Sequence, residues 1–362
     1  AENKPSTLHI VLPEAYLGTP QEAERLESIR RTMEEYRKSV LTRKVHGYVY
    51  VERTQMDGTV RQGLVGAVDL DAYDYAKGSK PAIRPSESTV VERIPPRLKV
   101  RRGAILETPH VMMLADDEKK TLIEPIGDHK DSLPLLYDGE LMLGGGHLRG
   151  WAVEDPALID QINAALADLA DEKKFAARWP RAAGEPPMVL AVGDGNHSLA
   201  TAKQCYENLK KVTPEDQWAD LPARYALVEV VNNHDDALQF EPIHRVLFGV
   251  EPEQVLEAMK AAYPGAHEGE GEGHTIAYTY AGHTGTITVP NPRMQLAVGT
   301  LQTFLDAYLK EHGGEVDYIH GDEVTDELGS KSGNIGFKLP AMGKEQLFKT
   351  VMADGVLPRK TF

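Results

Sequence analysis

The sequence predicts an α/β protein, with an α/β core over residues 1–235 and a smaller α+β domain over residues 236–362. Three observations carry this. Short β-prone apolar runs alternate with amphipathic stretches through the first part of the chain. Near residue 236 the order changes to two adjacent strands enclosed by helices. A chain of 362 residues is also longer than one core usually organises.

The elements follow in order. Leu8-His9-Ile10-Val11-Leu12 reads as a short buried strand. Leu26, Ile29, Met33, Tyr36 and Val40 recur at steps of three and four, the stripe of an amphipathic helix. Tyr48–Val51 and Gly63–Val68 flank Met56-Asp57-Gly58, an Asp-Gly hairpin signal. Val111–Leu114 is a strand, with His110 before it as a core histidine. Residues 155–178 are alanine-rich and helical. Met188–Val192 is a strand, and Leu199, Ala202, Tyr206 and Leu209 give the next helix its apolar face. Ala226–Val231 is a further strand. Beyond residue 236 the pattern predicts a helix (251–263), strands (275–280, 284–289), a helix (295–312), a strand (316–320), then helix and strand again. The glycine-acid tract His267–Gly273 and the stretch Gly329–Asn334 read as loops.

Composition excludes several classes. A formal net charge of −15 disfavours a sequence-independent grip on nucleic acid. The single cysteine, Cys205, permits no internal disulfide and no multi-cysteine zinc site, which points to a reducing, cytoplasmic compartment. The 13 histidines show no paired metal spacing. No apolar run of about 18 residues predicts a membrane span. The start Ala1-Glu2-Asn3-Lys4 is neither a signal peptide nor an initiator methionine, as expected of a processed or trimmed chain.

Chemistry concentrates at two places. The first is the turn Gly193-Asp194-Gly195-Asn196-His197-Ser198, between a strand and a helix. The first N–H groups of a helix lack internal partners and face such a turn, so it attracts anions. The glycines allow a sharp bend or close approach to a ligand. Asp194 beside a phosphate calls for a mediator, either Mg²⁺ or a substrate hydroxyl whose proton it accepts. His197 can donate to phosphate, and Ser198 can cap the helix or touch the ligand. The competing reading is plain capping by Asp194 or Asn196, with His197 packed. The second place is "RPSESTVVERIPPRLKVRR", residues 84–102, which holds Arg84, Arg93, Arg97, Lys99, Arg101 and Arg102 against Glu87 and Glu92. Pro95-Pro96 argues against a continuous helix. A constrained loop then offers Arg84, Ser86, Ser88 and Thr89 around Glu87, a candidate general base; the alternative is a solvated loop paired with surface acids. His244 and Arg245 in Phe240-Glu241-Pro242-Ile243-His244-Arg245 either complete a phosphate site or hold two domains together. Gly144-Gly145-Gly146-His147 reads as a flexible turn, and Cys205 as a helix residue without a nucleophile motif.

The stretches IRPSESTVVERIPPRLKVRRGAILETPHVMML, YDGELMLGGGH, AVGDGNHSLATAK, FEPIHR and GVLPRKTF resemble the uncharacterised bacterial DUF family number 1015, in its G-D-G-N-H-S branch, over nearly the whole chain. Members of that family extend further at both ends, so the resemblance implies shortened termini. The family's other branch writes the turn as D-G-H-H-R and the earlier loop with a His-Glu pair. Both are similar to free serine kinases of the ParB/sulfiredoxin-like superfamily, over residues 59–210. This resemblance implies a mixed-sheet ParB/sulfiredoxin-like core. It also implies a catalytic role for Glu87, and phosphate and metal contacts at Asp194, Gly195, Asn196, His197 and Ser198. Ser86 stands for the loop histidine, Asn196 for the first turn histidine and Ser198 for the turn arginine. The lost guanidinium leaves Arg84, Arg93 or His244 to compensate, and the donor's orientation open.

The reading is a cytoplasmic small-molecule kinase or related phosphoryl-transfer enzyme. ATP or ADP is the donor, Mg²⁺ bridges near Asp194, and a free-serine-like hydroxyl is the acceptor. Glu87 or Asp194 takes the proton, and Arg84, Ser86, Thr89, Arg93, Gly195, Asn196, His197, Ser198, His244 and Arg245 hold nucleotide phosphates. A nucleotide-binding ParB-like module without transfer chemistry and a phosphate-ester hydrolase are the alternatives. An arginine loop serving an oligomer interface is a third.

Overall fold

The computed structural model describes residues 4–108 and 111–362; His110 and residues 1–3 lie outside it. The chain divides into two compact units, Ala1–Leu238 and Gln239–Phe362.

The first unit is built on an eight-stranded mixed sheet. Its strands are β1 (Tyr48–Thr54), β2 (Val60–Asp69), β3 (Ile83–Pro85), β4 (Val111–Ala115), β5 (Leu135–Glu140), β6 (His147–Val153), β7 (Leu190–Asp194) and β8 (Tyr225–Asn232). They lie in the order β3-β7-β4-β8-β2-β1-β6-β5. β3 runs parallel to β7 and β4 parallel to β8, while the remaining neighbours are antiparallel. The helices are α1 (Glu22–Ser39), α2 (Ile94–Arg101), α3 (Glu124–Gly127), α4 (Pro156–Leu169), α5 (Glu172–Arg178) and α6 (Asn196–Lys210). The core joins Met113, Val192 and Val228 on the sheet to Leu199 and Tyr206 on α6 and Ile162 on α4. The Asp-Gly hairpin forms as the sequence predicts. Gly58 takes φ +85°, and the Asp57 carboxylate accepts the Thr59 N–H at 2.9 Å.

Four expectations change. Leu8–Leu12 is not a strand: Thr7–His9 is a short helical turn whose Leu8 N–H is capped by the Ser6 hydroxyl at 3.2 Å. Ile10 is buried there while Leu8 stays exposed, so the apolar run lacks a strand's two-sided burial. Residues 94–101 are helical despite Pro95-Pro96, because both prolines fall in the first turn, where no N–H is required. Residues 155–178 form two helices, with Asp171 opening the second by accepting the Lys174 N–H at 2.8 Å. His267 and Glu268, placed in a loop, pair with Thr288 and Ile287.

The second unit is an antiparallel six-stranded sheet with helices, an α+β arrangement. In chain order it holds β9 (Ile243–Phe248), α7 (Pro252–Ala262), β10 (His267–Glu268), β11 (His274–Tyr280), β12 (His283–Val289), α8 (Ala297–His312), β13 (Glu315–His320), α9 (Asp322–Gly329), β14 (Asn334–Lys338) and α10 (Lys344–Asp354). The sheet order is β10-β12-β11-β14-β9-β13. No helix among the described residues is long and apolar enough to cross a membrane.

Candidate functional site at the ends of two parallel strands

β7 runs on through Gly193 and Asp194 before the chain turns. Gly195 takes φ +89°, a left-handed conformation that an L side chain would strain, and α6 starts at the next residue. Gly193 packs closely: a Cβ there would stand 3.1 Å from Leu114 Cγ, tighter than most such contacts. The Asp194 carboxylate is exposed and accepts the Gly195 N–H at 2.7 Å.

The parallel neighbour β3 ends beside this turn, and Asn196 joins the two. Its side-chain oxygen accepts the Ser86 N–H at 3.1 Å, and its amide donates to the Ser86 hydroxyl at 3.2 Å. Both residues are buried. Glu87, half-buried, follows Ser86 directly. His197 Nε2 accepts the Val90 N–H at 3.2 Å, so the second residue of α6 holds the far side of the same loop. Thr89 Oγ1 is buried with no hydrogen-bond partner among the described residues.

The basic stretch resolves into distinct roles. Arg84 is buried and gives its donors to backbone: Nε to the Pro81 carbonyl and Nη2 to the Pro186 carbonyl, each at 3.0 Å. It fixes the approach to β3 and β7 and offers no open fork. Arg97 pairs with Glu14, Lys99 with Glu22 and Arg101 with Glu107. Arg93 is exposed, and together with Arg97 it adds to burial in lowering the His197 pKa. Positive charge thus stands over the start of α6, where the N–H groups also favour anions. Arg97 counted toward the basic stretch but was not among the expected site residues; its influence on His197 comes from the fold, which no local motif marks.

His244 and Arg245 belong to the second unit and are spent within it. His244 is buried, accepts the Leu339 N–H at 3.1 Å through Nδ1, and bonds Asp322 through Nε2 at 2.8 Å. Arg245 is fully buried and donates to Gln302 Oε1 (3.0 Å) and to the carbonyls of Arg359 (2.7 Å), Lys360 (2.9 Å) and Ile243. Burial lowers its pKa to about 10. Phe240 meets Phe362 at 4.4 Å between ring centroids. FEPIHR and the C-terminal GVLPRKTF are therefore two halves of one clamp, and the Arg245 guanidinium is spent on closing it. Among the described residues, no group of three or more His, Cys, Asp or Glu side chains is arranged to hold a metal.

The His197 contact has a pH signature. An unfolded imidazole titrates near 6.5, and the folded one takes its proton only at lower pH, chiefly because it is buried. Between those values the unfolded chain binds more protons, so stability rises with pH. The contribution is complete above pH 6.5 and is lost as pH falls from there through the lowered folded value. Thermal melts taken from about pH 7 down to about pH 5 are expected to show a steeper loss in the native protein than in His197→Gln, whose amide accepts at every pH. Equal slopes would remove His197 from the loop's support.

The solved structures that are similar are so at low identity. A mutant of free serine kinase in complex with ADP is 14% identical, with 90% of each chain covered and a TM-score of 0.42. Free serine kinase in complex with AMP is 14% identical, with 82% of this chain and 85% of that chain covered and a TM-score of 0.41. SbnI with C-terminal truncation from Staphylococcus aureus is 11% identical, with 82% and 80% covered and a TM-score of 0.40. No curated protein matches the sequence. The family described as "Protein of unknown function (DUF1015)" matches residues 1–308, and the chain belongs to that family.

Proposed function

We propose that the protein is a small-molecule kinase, transferring a phosphoryl group from ATP or ADP to the hydroxyl of a small metabolite. The observation that carries this is the double hydrogen bond between Asn196 and Ser86. It sets Glu87 beside a helix N-terminus at the carboxyl ends of two parallel strands, where open α/β sheets bind ligands.

Phosphoryl transfer asks chiefly for positioning and charge neutralisation. The opening N–H groups of α6, the Gly195 bend, Thr89, Ser198 and Arg93 would hold the donor's phosphates. Asn196 and His197 act through the loop they tie down. The acceptor oxygen forms a bond to the donor's terminal phosphorus. The bond from that phosphorus to the bridging oxygen breaks, and its electron pair leaves with the shortened nucleotide. Glu87 takes the acceptor's proton. Bound Mg²⁺ would neutralise phosphate charge, and a lone exposed carboxylate at Asp194 suits an ion held mainly by phosphates and water. The lone Cys205 is consistent with a reducing cytoplasm, and the net charge of −15 with a partner other than nucleic acid.

Thermal unfolding with ATP, ADP, AMP, CTP, pyrophosphate and phosphate, with and without Mg²⁺, tests the site. At about a hundredfold excess over Kd, one nucleotide with Mg²⁺ is expected to stabilise the protein by about 2.7 kcal/mol. Asp194→Asn is expected to lose the Mg²⁺-dependent part. No shift with any of them rejects the proposal, and phosphate release without an acceptor would reassign the site to hydrolysis.

A further inference from the structure

Three cations of the basic stretch are held by acids from elsewhere in the first unit, and the three holds differ. Lys99 meets Glu22 at 2.5 Å; Glu22 is buried and also accepts the Gly18 N–H, so that carboxylate is fixed. Arg101 meets Glu107 with both side chains mostly covered. Arg97 meets Glu14 at 2.9 Å, and the Glu14 side chain is 77% exposed. Glu14 stands on a single helical turn, Glu14–Tyr16, ahead of α1, and among the described residues its carboxylate bonds Arg97 alone. Water and salt compete for such an exposed pair, so it is the one hold of the three that exchanges readily.

Arg97 is also placed beside the start of α6. It lies one turn beyond Arg93, and its Nη1 donates to the Arg93 carbonyl at 3.2 Å. α2 packs against α6, and Arg97 borders the same groove as Ser198, in the first turn of α6. The charges of Arg93 and Arg97 both reach His197 in that turn. Glu14 therefore cancels positive charge next to the place proposed for the donor's phosphates.

We infer that Arg97 is a further phosphate-binding residue of this site, and that Glu14 holds its guanidinium until a phosphate displaces the carboxylate. The inference rests on the phosphoryl-transfer reading and adds a residue and a control to it. On binding, the Arg97 Nη2 donor passes from Glu14 to a phosphate oxygen, and the freed carboxylate turns to water. Polyphosphate is the stronger partner, since it carries more charge and its oxygens match the guanidinium fork in pairs. The Nη1 bond to the Arg93 carbonyl is untouched by the exchange, so both arginines stay in place.

Calorimetric titration with ATP and Mg²⁺ tests this on the native protein, Glu14→Gln, Arg97→Gln and the double variant. Glu14→Gln is expected to bind about two- to fivefold more tightly, the range of an exposed ion pair. Loss of a merely structural contact would give no such gain. Arg97→Gln is expected to bind about tenfold more weakly. In that background Glu14→Gln should change nothing, because the two act through one contact. Arg97→Lys keeps the charge without the fork and should fall between; it carries the comparison where the glutamine variant does not fold. Native affinity in the Arg97 variants overturns the role of Arg97. Affinity in Glu14→Gln at or below the native value, or a gain that persists without Arg97, overturns the displacement. No ATP binding by the native protein rejects the phosphoryl-transfer reading and this inference with it.

Discussion

Glu87→Gln is expected to lower kcat by about 10²–10⁴-fold, the usual contribution of a positioned general base. Gln keeps the size of Glu and removes its charge and its ability to take a proton. The loop is held by Asn196 on one side of Glu87 and by His197 on the other. Those contacts survive the substitution, so the thermal midpoint and the nucleotide shift should match the native protein. Single-turnover kinetics with a saturating acceptor would read the loss in the chemical step. Native turnover in this variant would show that the acceptor's proton goes elsewhere and would withdraw Glu87 from catalysis.

The second large effect is structural. Arg245→Ala leaves Gln302 Oε1 and the carbonyls of Ile243, Arg359 and Lys360 without their donor, at a position with no solvent exposure. Hydrogen bonds from charged groups contribute about 1.5–3 kcal/mol each. Burying the guanidinium itself opposes this, as its lowered pKa indicates. The net loss is expected to be about 3–5 kcal/mol, comparable to breaking a buried ionic contact. Hydrogen exchange should show the Leu357–Thr361 segment released first. Arg245→Lys should recover little of the loss, because one ammonium does not reproduce the planar fork. A segment that stays protected in Arg245→Ala would show that Phe240 and Phe362 suffice to hold it.

Local chemistry was legible wherever it acted within a few residues. The α1 stripe, the Asp57-Gly58 hairpin and the glycine turn before α6 all follow from spacing and backbone preference. Leu8–Leu12 misled because an apolar run of five shows composition without showing which neighbours will bury it. Pro95-Pro96 misled because a proline pair breaks a helix interior but suits a helix start, and sequence alone did not mark the start. At the site, the turn at 193–198 was visible from its residues, whereas the Ser86–Asn196 pairing was not. Its partners are far apart in the chain, and each looks like an ordinary loop residue by itself. The same blindness applied to Arg84 and Arg245. An arginine in a polar stretch reads equally well as a ligand fork or as a staple for carbonyls, and only the fold shows which oxygens lie within reach.

The bond between Ser86 and Asn196 spans 110 residues of chain, and the β5–β6 hairpin and the four helices α2 to α5 of the first unit fall inside that span. Contacts of such separation form late, because the entropy of closing the intervening loop must be met before they return anything. Newly synthesised protein should therefore gain most of its secondary structure while its nucleotide affinity is still absent. In refolding from denaturant, binding competence should trail the helical signal, making ligand capture a stricter report of the finished first unit than its circular dichroism.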